Sequence, residues 1–197
     1  MMNSLIFPDT PYTVCTFTGY RPEKMPHGGE ESEPYIQEIK LALRQSIELA
    51  YEYGFRHFLS GMARGFDLWA AESVLQLQDA GLKLDLWALL PYPEMDHRGD
   101  PEWHERFLYA HSRAAWSGSV EPRYTAWCHQ SRDKALIDAS SAVISYFDGT
   151  PGGTEYTIRY AQKLGRCGIN LANTVRPYLP HISEVRLKPL HMHEKKL

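Results

Sequence analysis

Apolar residues recur along the chain in two alternating patterns, one spaced as in a helix and the other almost uninterrupted, as in a buried strand. The clearest helical pattern spans residues 34–53, where apolar residues follow at steps of three or four between Pro34 and Gly54. The clearest strand pattern is K-L-D-L-W-A-L-L at 83–90. In order, the patterns predict strands at 13–18, 56–60, 83–90, 141–147 and 167–171, a short extended segment near 119–124, and helices at 34–53, 65–80, 100–115, 125–140 and 152–164.

This alternation predicts an α/β fold of the Rossmann-like, doubly wound kind. Strands that are apolar on both faces fit a mostly parallel sheet, because the helices that connect parallel strands cover both of its faces. A chain of 197 residues fits a single domain. We place that domain at 13–172, with an N-terminal extension at 1–12 and a C-terminal tail at 173–197.

Composition and charge restrict the classes of protein to which this chain is expected to belong. Hydrophobic residues make up 43% and charged residues 23%, as is typical of globular proteins. The formal net charge of −3 argues against a surface devoted to nucleic acid, because such surfaces gather a basic excess, so no nucleic-acid partner is expected. The sequence shows neither a signal peptide nor an apolar run near the length of a membrane span. We therefore expect a soluble, cytoplasmic protein without a membrane partner.

Neither the cysteines nor the histidines predict a metal site. Cys15, Cys128 and Cys167 are odd in number and widely spaced, which is atypical of a disulfide framework or a zinc site. His104 and His111 would lie two turns apart on one helix, about 10 Å, which is too far for one ion. No metal is predicted and no cofactor is certain; only a nucleotide-like ligand is suggested by the turns described next.

Turns that follow the predicted strands carry the candidate chemistry, because ligands of open parallel sheets bind at the carboxyl ends of the strands. The turn at 18–22, T-G-Y-R-P, offers a glycine and a guanidinium that suits a phosphate. The turn at 60–67, S-G-M-A-R-G-F-D, also leads into a helix, and Pro91 follows the third strand. In D-G-T-P-G-G-T-E-Y-T at 148–157, glycines at a helix start would leave amides that face an anion, and threonine hydroxyls would add donors.

Purely structural interpretations of these turns remain open. The glycines at 152–153 also fit a tight turn in which Thr154 caps the helix, and Asp148 also fits a residue that caps the turn after its strand. Arg21 also fits an exposed ion pair, and Arg132 an ion pair with Asp138. The chain contains neither G-x-G-x-x-G nor G-x-x-x-x-G-K, and no spacing suggests a nucleophile.

Three of these segments together resemble the YpsA-like branch of the SLOG superfamily, which also contains DprA and the LOG phosphoribohydrolases. They are Y-R-P, S-G-M-A-R-G-F-D-L-W-A-A-E and Y-F-D-G-T-P-G-G-T-E-Y-T-I-R-Y-A. S-R-D-K-A-L-I-D-A-S at 131–140 is similar to that branch's Arg-Asn-x-x-Met-Val-Asp-x-Ser segment. The resemblance covers 13–171 and implies a Rossmann-like fold with a glycine-lined pocket for a nucleotide or nucleotide-derived ligand; it is also compatible with a homodimer. The candidate ligand-binding residues are Gly19, Tyr20, Arg21, Gly61, Ala63, Gly65, Asp67, Pro91, Arg132, Asp133, Asp148, Gly152, Gly153, Thr154 and Thr157.

The chain departs from its resembled relatives at functional positions. Tyr20 replaces the usual histidine and has a ring that could stack on a base, while Asp133 replaces an asparagine and could repel a phosphate. LOG enzymes carry P-G-G-x-G-T-x-x-E, whereas Thr157 stands here where their glutamate is expected. Glu155 lies two residues earlier and points about 200° away on a helix. We therefore favour a nucleotide-binding sensor or regulator over a LOG-like N-glycosidic hydrolase, with DprA-like single-strand DNA binding less favoured still; whether the ligand is turned over stays open.

Overall fold

The computed structural model describes residues 13–95, 97 and 99–172. The predicted extension at 1–12 and tail at 173–197 lie outside these residues. The strands are β1 (Val14–Thr18), β2 (His57–Ser60), β3 (Asp85–Leu90), β4 (Trp116–Ser119), β5 (Ala142–Ser145) and β6 (Cys167–Asn170). The helices are α1 (Pro34–Glu52), α2 (Phe66–Asp79), α3 (Pro101–Arg113), α4 (Cys128–Asp138) and α5 (Gly153–Lys163), and two short 3₁₀ turns, Pro22–Lys24 and Pro26–Gly29, precede α1.

The strands form one parallel sheet in the order β4-β3-β2-β1-β5-β6. The chain builds outward from β1 through β4, then crosses to the other side of β1 to place β5 and β6. The direction of winding therefore reverses between β1 and β5, which is where ligands of such sheets bind. The pairing of Thr18 with Ser145 sets the carboxyl ends of the two strands level at this point. The predicted Rossmann-like α/β architecture is confirmed.

Helices cover both faces of the sheet. Helix α2 contacts both α1 and α3, whereas α4 and α5 contact each other. Phe58 of β2 packs in the apolar cluster that contains Leu43 of α1, whereas the next residue, Leu59, packs with Leu136 of α4. Because neighbouring side chains of a strand point to opposite faces, these contacts place the two groups of helices on opposite sides of the sheet.

The fourth strand lies earlier than the pattern predicts. The extended segment expected near 119–124 is replaced by β4 at Trp116–Ser119. Trp116 pairs with Trp87 of β3, and the two rings lie 6.0 Å apart. The rest of the strand is S-G-S, which has little β propensity, so only one residue carried a strand signal.

Truncation of Leu43 to alanine is expected to lower the free energy of unfolding by about 2 to 5 kcal/mol, because its side chain is fully buried between α1 and the sheet. Leu41 on the same helix is 56% exposed, and Leu41→Ala should change stability by about 0.5 kcal/mol at most. Urea unfolding followed by circular dichroism measures both values. Equal effects of the two substitutions would contradict the assigned inward face of α1.

Candidate functional site

The candidate site is the crevice at the carboxyl ends of the strands where the winding reverses. We define this switch-point crevice by the turns at 19–24 after β1, 61–67 after β2 and 148–155 after β5. Gly65 sets the second turn against the first: its backbone has φ +83°, and an added Cβ would lie 2.7 Å from the Tyr20 carbonyl oxygen. The amide of Phe66 donates to that same oxygen at 3.1 Å. The first two turns are therefore in direct backbone contact.

The third turn presents the amino end of α5. Gly152 has φ +152°, a conformation that side chains disfavour, and it leads directly into the helix. The first hydrogen bond of the helix runs from the Tyr156 amide to the Gly152 carbonyl at 3.1 Å. The amides of Gly153, Thr154 and Glu155 precede that bond and have no acceptor within the helix. They provide positive partial charge at one point of the crevice.

Lys24 lies beside this helix start and was missed in the sequence analysis. Its Nζ donates to the Pro151 carbonyl at 3.2 Å, and an added Cβ on Gly152 would approach that Nζ to 2.8 Å. R-P-E-K resembles ordinary exposed polar sequence, and only the 3₁₀ turn Pro22–Lys24 brings the ammonium to the crevice. Arg21, at the start of this turn, is exposed and forms no ion pair with another described residue.

A half-buried carboxylate fixes the segment that carries Lys24. Glu31 accepts hydrogen bonds from Trp69 Nε1 at 2.7 Å, Arg106 Nη1 at 2.5 Å and Lys40 Nζ at 2.5 Å. Burial alone would raise the pKa of Glu31, but the bonds from Lys40 and Arg106 outweigh it and lower the pKa. Arg106 also makes a bidentate pair with Glu72, with N–O distances of 2.6 and 2.7 Å. This Glu31 hub joins the segment to α1, α2 and α3.

Tyr20 and Asp148 connect the first and third turns. The Tyr20 hydroxyl donates to Asp148 Oδ1 at 2.8 Å, and burial together with that carboxylate raises the pKa of Tyr20 to about 12. The ring is only 3% exposed and meets Tyr146 and Phe147 edge-on. The Tyr20 ring is therefore packed within the protein and is not exposed for stacking on a base in this structure. Asp148 also accepts from the Thr150 amide at 3.0 Å, so it caps its own turn.

Two of the predicted glycines admit protein groups rather than a ligand. An added Cβ on Gly19 would overlap the Phe66 ring. An added Cβ on Gly61 would overlap the guanidinium of Arg132, whose Nη1 donates to the Gly61 carbonyl. Glycine signals a close approach in each case, but the approaching group belongs to the chain itself.

Arg132 is the centre of a buried charge cluster. Its Nε lies 2.8 Å from Asp133 Oδ1 and its Nη1 lies 3.5 Å from Asp67 Oδ2, so it does not pair with Asp138. Asp138 accepts from the Tyr160 hydroxyl at 2.6 Å instead. An added Cβ on Gly153 would lie 3.9 Å from Asp133 Oδ2, which connects the cluster to the start of α5.

The two threonines among the remaining predicted residues donate hydrogen bonds to main-chain carbonyls of the crevice. Thr154 Oγ1 donates to the Gly19 carbonyl at 3.1 Å, and the buried Thr157 donates to the Gly153 carbonyl at 2.9 Å. These internal bonds occupy the hydroxyl protons that we expected a ligand to receive. The Ala63 carbonyl accepts from the Leu68 amide at 3.1 Å. Pro91 lies outside the crevice: it is buried after β3, and its carbonyl accepts from the Glu121 amide at 3.1 Å.

The described part of the chain contains no group of three or more His, Cys, Asp or Glu side chains placed to hold a metal ion. None of its helices is long and apolar enough to cross a membrane.

Comparison with known families and proteins identifies a matching family and several similar proteins. The model of the YspA SLOG family matches residues 15–170. UPF0398 proteins of Bacillus thuringiensis (strain Al Hakam) and Bacillus anthracis (strain A0248) are each 26% identical over 155 residues, which cover 77% of this chain and 84% of each relative.

Two solved DprA structures share the fold. DprA from Streptococcus pneumoniae aligns with a TM-score of 0.54 and 13% identity over 80% of this chain and 49% of its own. DprA from Helicobacter pylori, described by its single-stranded DNA binding mode, aligns with a TM-score of 0.55 and 18% identity over 81% of this chain and 64% of its own. This chain thus spans about half to two thirds of the DprA chains, and at such identities the likeness shows the fold alone.

These neighbours correct the expectation that nucleic acid is not a partner. That expectation was wrong because it rested on the net charge of −3, whereas the same fold occurs in a DprA protein described as binding single-stranded DNA. A net charge sums the whole surface and carries no information about one local patch.

Gly61→Ala is expected to lower the free energy of unfolding by about 1 to 3 kcal/mol, because the methyl group would occupy the space of the Arg132 guanidinium. Gly99→Ala is the matched control, since no described atom lies within 4 Å of a Cβ at that position; its effect should stay within about 0.5 kcal/mol. Urea unfolding compares the two variants. If Gly61→Ala were as stable as the control, Arg132 would not occupy the position assigned to it.

The pH dependence of stability should report Asp67. Burial raises the pKa of Asp67 to about 6, Arg132 opposes the rise and Asp133 adds to it. The unfolded chain loses this proton near pH 4, so the stability that the proton contributes is complete below pH 4 and is lost as the pH rises through 6. Relative to Asp67→Asn, the wild type should lose about 2 to 3 kcal/mol of unfolding free energy between pH 4 and pH 7 in urea titrations.

Asp79→Asn on the same helix serves as the control of opposite sign. A hydrogen bond from Arg113 lowers the pKa of the exposed Asp79, so its contribution is lost as the pH falls. A wild type that gained stability with pH relative to Asp67→Asn would show that Asp67 is ionised by Arg132 throughout this range.

Proposed function

This chain belongs to the YspA SLOG family, and on that premise we propose that it binds a nucleotide or nucleotide-derived ligand with a phosphate at the amino end of α5. The observation that carries the proposal is the convergence of the three amides at 153–155 with the Lys24 ammonium at the switch point of the sheet. Amides at a helix start and a nearby cation are the groups that bind phosphate in proteins.

The charges around the crevice support an anionic ligand. Two carboxylates already compensate the buried Arg132, so its positive charge is committed within the protein. Arg21 and Lys24 are exposed and have no carboxylate partner among the described residues. Asp133 faces the start of α5, but its ion pair with Arg132 reduces the repulsion that it would exert on a phosphate.

The same helix argues for binding without N-glycosidic hydrolysis. Glu155 is held by Arg159, with an Nε–Oε1 distance of 2.8 Å. Position 157, where LOG enzymes have their glutamate, is a buried threonine whose hydroxyl donates to the Gly153 carbonyl. A role as a sensor or regulator that retains its ligand fits this arrangement.

Single-stranded DNA is a second candidate ligand. The DprA neighbours share the fold, and exposed aromatic side chains at Tyr124 and Trp127 stand near Arg123 in the turn before α4. Aromatic rings interleaved with cations are typical of single-strand binding. Binding of this kind should weaken steeply with salt, whereas binding of a small nucleotide depends on salt far less.

A thermal-shift panel tests the proposal, with AMP, ATP, NAD, ADP-ribose, ribose 5-phosphate and a short DNA strand as probes. A probe at 100 times its dissociation constant adds about 2.7 kcal/mol, or about 5 to 10 °C in Tm for a chain of this size. Chromatography after incubation then shows whether the probe is intact. A shift with an intact nucleotide supports the sensor, release of free base supports a hydrolase, and a shift with DNA alone supports the second candidate.

Gly153→Asp should abolish nucleotide binding without unfolding the protein, because it places a negative charge against the amides of α5 where a side chain has room. Gly153→Asn has nearly the same shape without the charge and is the control. Calorimetric titration should show an affinity at least about 10-fold lower for the aspartate variant than for the asparagine variant. Equal losses would attribute the effect to shape and contradict a phosphate at this turn.

A further inference from the structure

An aromatic cluster lies next to the switch-point crevice; Tyr92 packs against the core, whereas two other members are largely exposed. Tyr92 follows β3, and its ring meets Tyr124 edge-on at 5.5 Å and His129 edge-on at 6.4 Å. Tyr124 is 65% exposed, and Trp127, immediately before α4, is 71% exposed. We call Tyr92, Tyr124, Trp127 and His129 the aromatic platform.

The platform is continuous with the crevice. Burial lowers the pKa of His129, and the positive charges of Arg132 and Arg21 lower it further, so its imidazole lies within the electrostatic reach of both. Arg132 follows His129 by one turn of α4 and reaches the Gly61 carbonyl of the crevice. His129 therefore stands between the charged groups of the crevice and the two tyrosines.

The distance between the aromatic platform and the amino end of α5 suits the two ends of one nucleotide. Asp133 faces the start of α5 and follows His129 by four residues, about 6 Å along α4. The ring centroids of His129 and Tyr92 are 6.4 Å apart. The two steps together are comparable with the length of a nucleoside monophosphate.

We propose that the aromatic platform holds the base of a nucleoside monophosphate whose phosphate is bound at the amino end of α5. The inference rests on the proposed function, since it takes the phosphate position from it. Stacking against an aromatic ring is the common way in which proteins hold a base, and every base offers a face for it. Core packing would have buried these rings, yet Tyr124 and Trp127 expose most of their surface on the edge where the ligand enters.

Calorimetric titration of AMP, GMP, CMP, UMP and ribose 5-phosphate tests the inference. At least one of the four nucleotides should bind the wild type about 10-fold more tightly than ribose 5-phosphate, which lacks the base. Tyr124→Ala should reduce this preference to about twofold or less and leave the affinity for ribose 5-phosphate unchanged. Tyr124→Phe, which keeps the ring, should retain the preference.

Tyr53→Ala is the matched control. Tyr53 is 75% exposed at the carboxyl end of α1, which lies at the opposite edge of the sheet, so its loss should not alter the preference. A preference that survives Tyr124→Ala, or is lost equally in Tyr53→Ala, overturns the assignment of the platform.

The outcomes distinguish a failure of the phosphate site from a failure of the aromatic platform. If ribose 5-phosphate binds and Gly153→Asp removes that binding, but no nucleotide is preferred, the phosphate site stands and the platform is wrong. If neither ribose 5-phosphate nor any nucleotide binds, both fail. If a short oligonucleotide binds through Tyr124 while the mononucleotides do not, the platform holds a strand and the mononucleotide assignment is overturned.

Discussion

The buried guanidinium of Arg132 is the interaction on which the geometry of the crevice depends. It enters the space left by the missing side chain of Gly61 and pairs with Asp67 of α2 and Asp133 of α4. A charge in such a position is costly unless its partners are well placed, and a larger residue at position 61 would remove the room for it. One arginine thus ties the turn after β2, two helices on opposite faces and, through Asp133, the start of α5.

Around Arg132, most of the polar side chains that the sequence predicted for the site form hydrogen bonds that hold the turns together. The Tyr20–Asp148 bond and the Thr154–Gly19 bond both join the turns after β1 and β5. What remains for a ligand is small: three backbone amides, the exposed cations and the ring surfaces near α4. Under the proposed function, such a site would recognise a phosphate by fixed main-chain geometry, which needs no reorganisation when the ligand arrives.

The fold could be predicted from the sequence because β1, β3 and β5 are apolar on both faces and α1 has a clear stripe at helical spacing. The predicted position of β4 was wrong because Trp116 is its only residue with a strong strand preference. The groups that surround the candidate site residues could not be predicted, for a different reason. Glycine at 19 and 61 shows that something comes close, and the linear sequence does not say that Phe66 and Arg132 do. Lys24 was missed because an exposed lysine has no sequence signal until the 3₁₀ turn brings it to Pro151.

The Glu31 hub determines to which helix layer of the sheet the Lys24 segment is attached. It secures the segment that carries Lys24 to α1, α2 and α3 on one face, while α5 belongs to the layer on the other face. The Lys24 ammonium and the helix amides, which lie beside each other in the crevice, thus belong to separate layers. An anion bound by both, as proposed, would link these layers, and its binding would resist sliding of one layer over the other.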